Sequence, residues 1–402
     1  MRVLRWMTAG ESHGPALVGI LAGLPAGLEI DIAKVNEMLA RRRQGIGRSA
    51  RQEIERDNAV ILSGVRHGVT IGSPIAMTIE NKDFTNWRDV MSPDPPSAAG
   101  QAERIAMPRP GHADLAGALK WELTDARNVL ERASGRTTAI TTALGAICSR
   151  YLAKFGIFIG SRLLSFGPDI VASTDPHPPT RREIGDDVKR WIGDFGRLSD
   201  EARLRIEGLV DEARSNGDTL GGSIQVVAAQ IPPGLGCCAL PDERLDSRLG
   251  AAVLSVPGIK AVEIGAGIEQ SAMSGRDAHD GYAVVEDESH QPWFGRFSNL
   301  AGGIEGGMTD GEPICLTAWM KPLSTVRPPA GSVDPATGKP IEPDCSERSD
   351  VAAVESAACV IESAMALELA RAHLEKFSGD TMAEVTAAVR RYEESLKRGK
   401  SG

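Results

Sequence analysis

The sequence predicts an internally duplicated fold of alternating strands and helices, with pseudo-equivalent halves over about 1–165 and 205–395 of a single 402-residue domain. Three observations predict it. Sliding the chain against itself aligns "GESHGPALVGILAGLPAGL", from Gly10, with "GDTLGGSIQVVAAQIPPGL", from Gly217, without a gap. Two later blocks match in the same order: "GVRHGVTIGSPIAMTIENK" from Gly64 with "GIEGGMTDGEPICLTAWMK" from Gly303, and more weakly "RYLAKFG" from Arg150 with "AHLEKFSG" from Ala372. Apolar runs closed by Gly and Pro, and apolar stretches of helical length, occur in both halves. A repeat of roughly 200 residues is too long for a solenoid and fits a duplicated α/β unit.

The elements follow in order. "ALVGILAGLP" reads as a buried strand. "DIAKVNEMLARRRQG" reads as a helix with Asp31 at its N-cap, arginines in the last turn and Gly45 beyond. "TTALGAICSRYLAKFG" is a long apolar helix that should pack on a sheet. The stretch 180–215 is polar with helical periodicity and reads as a helical linker between the halves. "SIQVVAAQIP" is the second buried strand, and "AVESAACVIESAMALELARAHLEKF" the second long apolar helix. Two Pro- and Gly-rich stretches, 91–114 and 327–350, are unusually long for loops, which often marks segments that cover an active site.

Composition narrows the function. A net charge of −9 argues against general nucleic-acid binding, so an anionic ligand needs a local basic pocket. Cys148, Cys237, Cys238, Cys315, Cys345 and Cys359 form no CxxC pair and have no zinc-type histidine spacing, so no metal site is expected. The adjacent Cys237 and Cys238 read as buried thiols. With no long apolar span and no signal-peptide core, the expected location is the reducing cytoplasm, with no membrane partner.

"GESHG", residues 10–14, fits the G-x-S-x-G nucleophile elbow of serine hydrolases. The repeat argues against that reading. A strand-like run, not a helix, follows Pro15, and no HGGG-like segment precedes the motif. Gly10 and Gly14 recur in the second copy, whereas His13 aligns with Leu220. An ionisable ring in only one copy makes His13 a candidate acid or base; the alternative is a hydrogen-bonded structural histidine.

The other candidates are clusters. Arg41, Arg42, Arg43, Arg48 and Arg51 suit phosphate or carboxylate recognition, or else compensate the helix dipole on a solvated face. Arg48 lies past two glycines that let backbone approach a ligand. His112 sits in "PRPGHAD" with Asp114 two residues on, a spacing that lets the carboxylate orient its ring; an ordinary capping role is the alternative. "LERASGRTT" has a phosphate-binding composition, and "NLAGGIEGG" could lie against a flat ring or simply make tight turns. "MKPLST" and "SERSD" add Lys321, Ser324, Thr325, Arg348 and Asp350. The chain has no P-loop signature, and "GAGIEQSA" lacks the third glycine of a dinucleotide fingerprint.

Taken together, "AGESHGP", "RRRQGIGR", "ERDNAVILSGVRHGVTIGSPI", "MPRPGHAD", "NVLERASGR", "KAVEIGAG", "SNLAGGIEGG", "MKPLSTV" and "RSDVAAV" closely resemble the chorismate synthase family, in the family's order, from residue 4 to about 376. The resemblance implies an α+β fold, an internally duplicated β-α-β-α sandwich, and usually a homotetramer. It implies a lyase of the shikimate pathway that converts 5-enolpyruvylshikimate 3-phosphate to chorismate and phosphate by anti-1,4-elimination, with reduced FMN required but no net redox change. By matching motif, His13 would assist the leaving phosphate, His112 would serve the reduced flavin, and Asp350 would help remove the ring proton. Arg42 and Arg48, with Ser12 and Arg136, would contact the anionic substrate or NADP. Flavin contacts would come from Arg132, Ala133, Ser134, Gly306, Lys321, Pro322, Leu323, Ser324, Thr325 and Arg348. Pro257 and Gly258 occupy a further flavin position, where the family often carries an amide. Thr137 and Thr141 replace a glutamate and an arginine usual in the family, which implies weaker substrate affinity or a divergent copy. No separate NADPH fingerprint is present, so the reductant is expected to be external.

Overall fold

The computed structural model describes residues 3–49, 57–95, 104–170, 177–286, 292–327, 331–341 and 350–398. Its first sheet holds β1 (Arg5–Ala9), β2 (Ala16–Ala22), β3 (Ala59–Ile61) and β4 (Ile75–Glu80), antiparallel in the order β1-β2-β4-β3. Its second holds β5 (Phe158–Phe166), β6 (Gly222–Ala229), β7 (Ile259–Ile264) and β8 (Ile314–Met320) in the order β7-β8-β6-β5, with Asp169–Ile170 at the edge.

The sequence repeat recurs as a repeat of hydrogen bonds. Thr70 Oγ1 donates to Pro25 O at 2.7 Å and accepts from Leu28 N at 2.9 Å, while Gly27 N donates to Thr70 O at 2.9 Å. Thr309 Oγ1 donates to Pro232 O at 2.7 Å and accepts from Leu235 N at 2.8 Å, while Gly234 N donates to Thr309 O at 2.6 Å. Each threonine ends a two-residue hairpin strand and pins the segment that follows the apolar strand. The pairs β2–β4 and β6–β8 are correspondingly antiparallel.

The long apolar helices lie between the sheets. α1 (Ile32–Arg43) starts where the Asp31 side chain accepts from Ala33 N at 2.9 Å, which satisfies an otherwise orphan donor. Three helices lead on from the first half: α2 (Asp114–Trp121), α3 (Arg127–Ala133) and α4 (Thr138–Ala153). α5 (Val188–Phe195) and α6 (Asp200–Ser215) occupy the polar stretch before β6, and α7 (Leu245–Leu254) follows it. α8 (Val354–Lys376) and α9 (Met382–Arg398) close the described chain.

α4 and α8 are buried nearly all round, the pattern of a helix sandwiched on every side. They pack on each other at Gly145, where an added Cβ would lie 2.5 Å from Ser363 Cβ and 2.6 Å from its Cα. One layer of the core joins Leu17, Leu21, Ile75, Met77 and Ile79 of the first sheet to Ile140 and Leu144 of α4. Ile224, Val226 and Ala228 of β6 meet α8 from the second sheet. The outer face of that sheet, with Val227, Ala229 and Cys315, is covered by Val188, Trp191, Ile192 and Phe195 of α5. The layers therefore run sheet, helices, sheet, helix.

Two expectations need correction. The run 16–22 is buried on one face only: Ile20 is 42% exposed and its cross-strand neighbour Met7 70%, because no element of the described chain covers the outer face of the first sheet. Cys237 is half-buried and Cys238 exposed, because the turn that follows Gly236 lies at the surface. No helix among the described residues is long and apolar enough to cross a membrane.

Candidate active site

The turn at 10–14 joins two antiparallel strands and leads into no helix, so it has not the form of a nucleophile elbow. Gly10 has φ +104, and a Cβ there would strike Ala16 O, so this position requires glycine. Ser12 N donates to Glu131 O at 2.9 Å, which sets the turn on the C-terminal part of α3. The aligned stretch of the second half is also held by a main-chain bond, one position later, with Leu220 N donating to Val351 O at 2.8 Å just before the last long apolar helix.

Docking on α3 brings His13 to Glu131. The ring Nδ1 lies 2.9 Å from Oε2 and 3.1 Å from Oε1, and His13 N donates to Oε2 at 3.0 Å. Trp87 covers a face of the same ring, stacked on it at a 4.0 Å centroid separation. His112 has a carboxylate partner of its own, Asp114, the first residue of α2, as the two-residue spacing suggests. Arg109 also holds Asp114, with Nε donating at 3.0 Å. Burial works against the Asp114 charge, but the hydrogen bonds from His112 and Arg109 outweigh it and leave this carboxyl below its ordinary range.

The arginines arrive from two elements. Arg42, at the end of α1, is 3% exposed and pairs with Asp57 at 3.4 Å. Arg136, at the α3–α4 junction, reaches both oxygens of the same Asp57 at 2.8 Å and Asn81 Oδ1 at 2.8 Å. Burial lowers the Arg42 pKa, Asp57 opposes that, and the neighbouring charges of Arg136 and Arg48 add to the lowering. Past Gly45 and Gly47, at φ +130 and +90, Arg48 Nη1 meets Asp350 Oδ2 at 2.6 Å. Ser49 N also donates to Asp350, at 2.7 Å. Among the described residues, the Nε atoms of Arg42 and Arg48 are buried with no hydrogen-bond partner.

The second half supplies the facing wall. Lys321 N donates to Gly258 O at 3.0 Å, which sets the stretch after β8 beside the turn before β7. Lys321 Nζ donates to Gly111 O at 2.8 Å and ties the His112 loop to that wall. The two long loops also meet, as Arg104 forks onto Asp334 with bonds of 2.9 and 2.8 Å.

The result is one cleft of about 360 Å³. Ser12, His13, Arg42, Arg48, His112, Ala133, Ser134, Arg136, Pro257, Gly258, Asp350 and the run from Lys321 through Pro322, Leu323 and Ser324 to Thr325 all line it. Arg132 does not; it turns back to donate to Thr8 O and Gly10 O, at 3.0 and 3.1 Å. Gly306 also lies off the cleft, in the hairpin turn 304–309 at φ +59. Arg348 lies outside the described residues. Neither Thr137 nor Thr141 lines the cleft; Thr137 Oγ1 donates to Ser134 O at 2.8 Å. Glu131, Asp57, Trp87 and Arg109 were not singled out by sequence reasoning. Arg109 in "PRPGHAD", Glu131 in "NVLERASGR" and Asp57 in "ERDNAVILSG" lie inside motifs, but the pairing of Glu131 with His13 and of Asp57 with Arg136 spans long stretches of chain.

Chemically, Arg42, Arg48, Arg109, Arg136 and Lys321 face the cleft against Asp350 as the carboxylate of its described lining. That surplus, with two guanidinium nitrogens left unmatched, suits a polyanion. Val256, Met320, Leu323 and Ala133 add an apolar surface suited to a flat ring.

Residues 4–374 match the family model described as Chorismate synthase. Proteins named chorismate synthase from Symbiobacterium thermophilum and Desulforudis audaxviator are each 44% identical to the chain, covering 98% and 100% of it and 100% of each relative. That from Anaeromyxobacter dehalogenans is 46% identical over 97% of the chain and 98% of the relative. A crystal structure of chorismate synthase superposes with a TM-score of 0.74 at 34% identity, covering 99% of both chains.

Proposed function

The chain belongs to the chorismate synthase family, and from that premise we propose that it converts 5-enolpyruvylshikimate 3-phosphate to chorismate and phosphate, with reduced FMN in the same cleft. The family is one of carbon–oxygen lyases in aromatic amino-acid biosynthesis. The observation that supports the reading most is convergence. Two histidines, each backed by a buried carboxylate, open on one cleft with Arg42, Arg48, Arg136 and Asp350.

The cationic lining and the unmatched Nε atoms of Arg42 and Arg48 fit a substrate with one phosphate and two carboxylates. The apolar surface, with Lys321 and the main chain of 257–258 and 321–325, fits a flavin and its phosphate. When bound, reduced FMN supplies electron density to the reacting ring and recovers it, so no net redox change results. Arg42, Arg48 and Arg136 bind and orient the substrate anions. His13 holds a proton for the departing phosphate oxygen. Asp350 accepts the ring proton, and substrate anions that draw Arg48 away leave its carboxylate open for that task. His112, oriented by Asp114, holds a proton beside the flavin. The reading extends to a cytoplasmic homotetramer of single-unit chains, each with two pseudo-equivalent halves on one continuous core, supplied with reduced flavin from outside.

The test is an anaerobic assay with photoreduced FMN and 5-enolpyruvylshikimate 3-phosphate. Chorismate and phosphate should form in equal amounts. His13→Ala and His112→Ala should each slow turnover by about 10²- to 10⁴-fold, the range of a positioned acid or base. Tight substrate binding with no turnover in the wild type would refute the proposal.

A further inference from the structure

We propose that Glu131 is the positioning residue for His13. Its buried carboxylate fixes the ring as the Nδ1–H tautomer, so that Nε2 exchanges the proton, and supplies the negative charge that lets the ring be protonated in a cationic cleft. The inference rests on the reading of His13 as the acid that assists the leaving phosphate. Four contacts carry it. Glu131 accepts from His13 N at 3.0 Å, lies 2.9 and 3.1 Å from Nδ1 through its two oxygens, and through its carbonyl accepts from Ser12 N. An ionised carboxylate only accepts, so Nδ1 is the donor and Nε2 is the atom whose proton changes hands.

The carboxylate is 1% exposed, so water does not compete for it. Its other cationic partner, Arg127, sits farther off, with Nη1 at 3.4 Å, and shares its charge with the Trp87 ring at 5.3 Å. Trp87 in turn stacks on His13 and restricts ring rotation. His13 shares its cleft with Arg42, Arg48, Arg109, Arg136, Lys321 and His112, and Glu131 is the carboxylate that touches its ring. Asp350, the carboxylate of the lining, is already engaged by Arg48 at 2.6 Å. The proton step balances simply: the C–O bond breaks, its electron pair stays on phosphate, that oxygen takes the Nε2 proton, and the neutral ring keeps Nδ1–H on Glu131.

Glu131→Gln separates charge from orientation, because its amide oxygen still accepts from Nδ1 but carries no charge. In the flavin-loaded enzyme kcat should fall by about 10²-fold, with KM changed by less than about threefold. The falling limb of the kcat/KM profile should move to lower pH by about one to three units, the effect of one adjacent charge. Glu131→Ala should in addition populate the Nε2–H tautomer, read from the imidazole nitrogen NMR signals that vanish in His13→Gln. A Glu131→Gln enzyme with wild-type kcat and an unshifted profile would overturn the inference. So would a neutral wild-type ring found as the Nε2–H tautomer, a measurement that needs no variant to fold. Full turnover by His13→Ala is a different outcome: it removes the acid role and leaves the tautomer result untouched.

Discussion

Asp57 is the shared counterion of two guanidiniums, and Asp57→Asn exposes what the cleft is built for. Its side chain is 1% exposed, against 4% for Arg42 and 7% for Arg136. It forks onto Arg136 with two contacts of 2.8 Å and reaches Arg42 at 3.4 Å. One negative charge between two positive ones leaves a surplus of one even in the wild type. Asparagine keeps an acceptor but cancels no charge, so two buried guanidiniums lose their counterion. Removing one partner of a buried ion pair costs about 3–5 kcal/mol. At roughly 2–4 °C per kcal/mol for a large domain, the melting temperature should drop by about 10 °C. A bound anion replaces the missing charge. At one shared concentration of inorganic phosphate, about 100 times the wild-type Kd, mass action adds about 2.7 kcal/mol to the wild type, and the variant, whose uncompensated guanidiniums bind phosphate more tightly, should gain more. Thermal unfolding of both proteins, with and without phosphate, reads all four states. A variant that melts within about 2 °C of the wild type, or gains no more from phosphate than the wild type does, would refute the reasoning.

Two further outcomes follow from the core. Burial holds His373 down to about 3, below its ordinary 6.5, so the unfolded chain takes up a proton between those values that the folded chain refuses. Its contribution is present above about pH 6.5 and is lost as pH falls towards 3, at up to about 1.4 kcal/mol per pH unit; denaturant titrations at pH 7 and 5 should show that slope flattened in His373→Gln. Gly145→Ala should gain about 1 kcal/mol of helix propensity. It forces its methyl onto Ser363 backbone atoms at 2.6 Å that no rotamer change can move. Overpacking of about 1–3 kcal/mol should therefore win, and a variant more stable than the wild type to urea would show that α4 and α8 separate freely.

What the sequence made legible was local or periodic. The helix at 32–43, with its Asp31 cap, is set by contacts within two residues, and the all-round burial of α8 by a run of apolar side chains. The His112–Asp114 pair was readable for the same reason. Glu131 was not, because it meets His13 only when α3 packs under the turn, 118 residues on. Arg48 and Asp350 both carried motif signals, but that they bind each other depends on Val351 N donating to Gly47 O at 2.8 Å, which no spacing reports. The half-open face of β2 escaped notice because an apolar run does not say how many of its faces are covered. Cys238 was misplaced because thiols are usually buried, and a surface turn overrides that tendency.

Leu220 gives the doubled architecture its asymmetry. It stands where the first copy has His13, packs against the central core, and is held by the same kind of main-chain bond that seats the first turn. Its aliphatic side chain carries no exchangeable proton, so among the described residues the Leu220 turn offers no counterpart to the His13 ring. Ligand stoichiometry should accordingly count polypeptides, not halves.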